Sequence, residues 1–133
     1  MDTGSTTTAG VVLLAVVAIA YGGTFVLRVV SGKQPANELQ KSFFRAGHAH
    51  AGVLVVLGLV VLLLMDAAAV PALFCYAADG VLISAILMPA GFFLSVIGRN
   101  PQKPNGLIAL LWAGGALLTV SLVVGGIGLL GAG

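Results

Sequence analysis

The chain has one cysteine, Cys75, one tryptophan, Trp112, and few fixed charges: six basic and four acidic side chains in 133 residues. A single cysteine excludes an internal disulfide, and its ordinary reading is a small apolar side chain. A charged fraction of 8% beside a hydrophobic fraction of 59% and a mean hydropathy of +1.15 excludes an ordinary soluble domain. Also missing are a G-x-S-x-G elbow, a Walker glycine loop, a C-x-x-C pair and a pair of carboxylates within an apolar run. Covalent catalysis needs a nucleophile with an orienting partner, so no enzyme is expected. The net charge of +2 does not point to nucleic acid, because the six cations are placed where membrane topology uses them.

What the chain does have is long apolar sequence. Four runs, about 9–30, 46–65, 71–98 and 106–131, each supply the ~20 residues that cross a hydrocarbon core. They are continuous rather than alternating, which favours helices over barrel strands. The expected fold is therefore all-α, a single membrane domain of four transmembrane helices. Asn37 is a plausible N-cap with Glu38 in the first turn, so the second helix is extended back to about 38–65. Arg28, Lys33, Lys41 and Arg45 lie at the first connector, and Arg99 and Lys103 at the third. The positive-inside rule makes that side cytoplasmic, with both termini outside. The same cations can touch anionic lipid headgroups. Ala18-Ile19-Ala20 resembles a signal-peptide cleavage site, but the basic n-region is missing and the apolar run continues to Val30, so an uncleaved first helix is expected.

Arg45 to Asp66 and Asp79 to Arg99 each span roughly 30 Å at the helical rise, about one hydrocarbon thickness. Asp79 then lies near the outer surface. Both an interfacial role and a functional intramembrane acid remain open for it. The hairpin ends also resemble each other: Phe25 to Pro35 aligns with Phe92 to Pro101 when Ser31 is skipped, ending in Gly, a cation, an amide and Pro. Either a duplicated two-helix hairpin with parallel repeats or convergence on a good helix stop produces this shape.

Both histidines fall in the stretch FFRAGHAHAG, residues 43–52. Two positions apart on a helix is a rotation of about 200°, so His48 and His50 point to nearly opposite faces and cannot chelate one ion within the chain. Helical zinc sites use spacings of three or four, and no metal site is expected. His48 shares its side with Phe44, Ala51, Gly52 and Val55, while His50 shares its side with Leu39, Phe43, Leu54 and Leu57. The candidate polar, proton or ligand residues are His48, His50, Asp79, Ser84 and Ser95. Gly52, Gly91, Gly98, Gly114 and Gly115 are the candidate helix-packing positions.

In FFRAGHAHAGVLVVLGL and MPAGFFLSVIGRNPQKPNGL the chain resembles small four-helix membrane proteins of actinobacteria that have no known activity, over residues of about 20–125. The resemblance implies a bacterial cytoplasmic membrane and transfers no chemistry. The H-A-H element is also similar to histidine pairs in haem-copper oxidase-like proteins, whose further histidines on other helices are missing here. Three functions are weighed. The first is a non-enzymatic bundle that self-associates or serves as an accessory subunit of a larger membrane complex. The second is a small oligomeric channel or transporter with His48, Ser84, Ser95 and Asp79 along its route. The third is haem or copper bound at an oligomer interface, the second ligand coming from a symmetric copy or from a methionine such as Met88; no cofactor is expected within one chain.

Overall fold

The computed structural model describes residues 2–132, and it is all-helical among them. The helices are α1, Thr3–Val30; α2, Glu38–Ala67; α3, Ala72–Leu94; and α4, Ala109–Leu130, the last entered through a 3-10 turn at Gly106–Ile108. Each is long and apolar enough to cross a membrane. They run up, down, up, down, which brings the first and third connectors together at one end. All six cations lie at that basic end, and Asp2, Asp66 and Asp79 lie toward the other.

Local chemistry starts and stops the helices. Asn37 caps α2 in a full capping box: its side chain accepts from the Gln40 amide at 2.9 Å, and Gln40 Oε1 accepts from the Asn37 amide at 3.1 Å. Asn105 caps the 3-10 turn by accepting from the Leu107 amide at 2.8 Å. α1 ends before Gly32, whose φ of +75° suits a residue without a Cβ. α3 ends at Leu94, short of the apolar run that continues to Gly98. There the Asn105 amide donates to Ser95 O at 2.7 Å and Asn105 Nδ2 to Leu94 O at 3.0 Å, so the connector takes carbonyls that a longer helix would have paired.

At its start, α1 begins six residues before the apolar run, because Asp2 accepts from the Ser5 amide at 2.7 Å and holds the threonine-rich first turns in register. The Ser5 amide, and then the Ser5 side chain, hold the Asp2 carboxyl below its ordinary value of 3.8. A lowered pKa means the charged cap is favoured above the ordinary value and lost as pH falls through the lowered one. Amide exchange in the first turn, corrected for its intrinsic pH dependence, is expected to stay slow down to that value and to rise below it. In Asp2→Ala this acid step disappears; a step that survives assigns it to another group.

Helices α2 and α3 form the centre, α4 packs closely on α3, and α1 lies against α2 with no comparable seam to α3 or α4. Lipid is as apolar as leucine, so the helices hold together by close packing rather than by exclusion of water. Two clusters show this. Val61, Leu62, Met65, Val70, Ala77, Ala78 and Val81 interlock toward the acidic end, and Leu54, Val55 and Ala85 at mid-height. Within the membrane-length stretch of α1 no residue is buried, and Leu14 and Val17 are 74% and 67% exposed.

Candidate functional site

The two histidines diverge as a 200° rotation requires, each facing a different neighbouring helix. His48 lies over the paired glycines of α1: a Cβ on Gly23 would sit 3.1 Å from its Nε2, and one on Gly22 4.0 Å from its Nδ1. The α1–α2 seam at this level is thus an imidazole laid on bare backbone. His50 faces α3, its ring 5.0 Å from that of Phe92. His50 Nδ1 lies 2.8 Å from Ala46 O. A carbonyl can only accept, so Nδ1 is the donor in this contact.

Around the histidines is an aromatic layer that ties three helices together. Phe44 stacks on Phe93 at 5.2 Å, Phe25 meets Phe44 edge-on at 5.4 Å, and Phe43 meets Phe92 edge-on at 5.6 Å. Gly47 makes this possible, since a Cβ there would lie 2.7 Å from the Phe93 ring and 3.0 Å from Phe92 Cβ. Beyond it, toward the basic end, lies an amide cluster. Gln40, 8% exposed, donates through Nε2 to Val96 O and Gly98 O, both at 3.1 Å. Asn37 Nδ2 donates to Asn100 Oδ1 at 2.9 Å and to Pro101 O at 2.7 Å. The cluster joins the two connectors by side-chain hydrogen bonds. Sequence reasoning identified Asn37 only as a cap and did not find Gln40. The signal it could have used is the polar side chain three residues after a cap, which completes a capping box.

The other candidate residues are not drawn to the histidines. Ser84 is fully buried and its hydroxyl donates to Gly80 O of its own helix at 2.8 Å. Ser95, 1% exposed, turns its hydroxyl to Phe92 O at 3.4 Å. Both hydroxyls spend their proton on backbone carbonyls one turn back. Asp79 is exposed on α3, toward the acidic end and far along the bundle from His48. Among the described residues, no group of three His, Cys, Asp or Glu side chains is placed to hold a metal ion.

The glycines separate into two kinds. A Cβ on Gly91 would overlap the backbone of Leu111, and one on Gly114 would lie 2.6 Å from Met88 Cγ and 3.0 Å from Met88 N, so these two set the α3–α4 distance. Gly80, Gly125 and Gly128 extend the same seam, against Ser121, Ala77 and Phe74. Gly52 and Gly115, expected at helix contacts, meet nothing within 4 Å inside the chain, and Gly98 serves through its φ of +123° in the turn after α3. Helical periodicity picks out a stripe of small residues, but the crossing point of two helices decides which of them touch.

Electrostatically the basic end is one-sided. Glu38 pairs with Lys41 at 2.9 Å. Arg28, Lys33, Arg45, Arg99 and Lys103 have no ion-pair partner among the described residues. The chain is thus an all-α bundle of four helices of membrane-spanning length, with a cationic rim, a phenylalanine layer and two divergent histidines at one end. No family model, curated protein or solved structure matches it.

Proposed function

We propose that the protein is a non-enzymatic, multi-pass component of a bacterial cytoplasmic membrane, which acts by association, either with further copies of itself or as an accessory subunit of a larger membrane complex. The basic end is the cytoplasmic one and both termini face outward, because cations concentrate on the inner side. The resemblance to small actinobacterial membrane proteins supports the same location. One observation carries the reading: α1 is a full-length apolar helix that leaves its central stretch unburied and rests chiefly on α2, its contact with α3 being the ring of Phe25 against that of Phe93 near the basic end. A helix held chiefly by one neighbour, on a seam that includes two glycines and an imidazole, offers its other sides to a second protein. The route-forming alternative has less support, since the Ser84 and Ser95 hydroxyls turn to their own helix and His48 faces away from them.

The test is cross-linking in native membranes through a single cysteine at position 14, on the uncovered side of α1, with Cys75 changed to serine. A discrete higher-mass species is expected, either a dimer of the chain or one defined larger partner. Cross-linking to lipid alone, with a monomeric mass in nanodiscs, overturns the reading. Ion flux through liposomes that falls in His48→Ala would replace it with the channel reading.

A further inference from the structure

We propose that the exposed face of α2 is a site for one anionic phospholipid of the leaflet at the basic end, with the phosphate at Arg45 and an acyl chain along Ala49, Gly52, Val53 and Val56. Those four residues and His48 line an open groove of about 470 Å³. Arg45, Ala49, Gly52 and Val56 follow at four, three and four positions, so they share one helix face. Arg45 and Ala49 are exposed, Val53 and Val56 are 65% and 58% exposed, and a Cβ on Gly52 would meet nothing. The floor of the groove is therefore bare helix backbone, with the valines beside it and His48 along its edge.

Length and charge select the occupant. From Arg45 to Val56 the helix rises roughly 16 Å, about half of a hydrocarbon core of ~30 Å, so the groove reaches from the rim to mid-membrane and fits a chain from one leaflet. Arg45 has no ion-pair partner among the described residues and stands with four other cations in the same condition. An anionic headgroup is the charge that this rim lacks. Roughly 4–5 Å deeper lies His48, at the level of the glycerol esters, where its ring has a hydrogen bond to give or accept. A second copy fits the face less well, because an isologous contact there sets Arg45 against Arg45.

The experiment is native mass spectrometry of the full chain, released from micelles equilibrated with equimolar phosphatidylglycerol and phosphatidylcholine. The wild type is expected to retain one phosphatidylglycerol in preference to phosphatidylcholine. Arg45→Gln should lower that preference about five-fold. Gly52→Phe should remove the retained lipid of either headgroup while leaving helicity by circular dichroism unchanged, since its Cβ meets no neighbour. Lys103→Gln and Gly115→Phe, a cation and an open glycine outside the groove, should leave both readings as in the wild type. Equal retention of the two lipids, or equal losses in Arg45→Gln and Lys103→Gln, overturns the proposal in favour of diffuse charge. Displacement of the lipid by excess inorganic phosphate overturns it in favour of a plain anion site, and a dimer that forms in place of the lipid adduct overturns it in favour of self-association.

Discussion

Gly91→Ala is expected to destabilise the bundle by about 3 kcal/mol, at the upper end of what overpacking costs, and Gly91→Leu by more. The added Cβ falls on the Leu111 backbone, and no rotamer change removes a clash with main chain. Relief requires α4 to move off α3, which gives up contacts at Gly114, Gly125 and Gly128 along the same seam. Trp112, next to Leu111 and the only tryptophan, reports the movement by its emission. Unfolding by sodium dodecyl sulfate, followed by circular dichroism, measures the loss. The comparison that gives the prediction its force is Gly115→Ala on the same helix. With open space around it, alanine there is neutral or stabilises by about 0.5–1 kcal/mol through helix propensity. Equal effects at the two positions would mean that α3 and α4 do not meet at Gly91.

The second large effect is expected at Gln40. In Gln40→Leu the volume is kept, but the buried Val96 end of the turn loses the donor to its carbonyl, and the Asn37 amide loses its acceptor. An unsatisfied buried group costs about 1–3 kcal/mol, and the exposed Gly98 carbonyl can turn to water, so a loss of about 2–3 kcal/mol is expected. Gln40→Glu retains the acceptor that closes the capping box but sets a carboxylate oxygen against two carbonyls, so it recovers little of the loss. Hydrogen exchange should locate the damage at residues 95–105, with the acidic end unchanged. If Gln40→Leu matches the wild type within about 0.5 kcal/mol, water replaces the amide cluster without cost.

These two sites illustrate what was legible beforehand. The four helices could be read because continuous apolar sequence of membrane length has few other solutions in lipid. The Asn37 cap and the divergence of His48 and His50 could be read because both depend on neighbours within one helix. The Gln40 cluster could not: its acceptors are Val96 O and Gly98 O, more than fifty residues away, and they become available only where the turn after α3 leaves them without helical partners. The phenylalanine layer escaped for a related reason. Phe43-Phe44 and Phe92-Phe93 are visible as pairs, but whether they meet depends on Gly47 admitting α3 at that height.

By itself the sequence determined the number of helices, the end at which the cations gather and the opposed facing of the imidazoles, because hydrophobic length, charge position and a 100° turn per residue are properties of the chain alone. The tertiary structure alone decided that Gly91 and Gly114 make contact while Gly52 and Gly115 stay open, that Ser84 and Ser95 satisfy their own helices, and that α1 leans chiefly on α2. Packing in lipid is a sum of short-range contacts, each lost within an ångström or so, and such contacts depend on crossing points and depths that no single helix specifies.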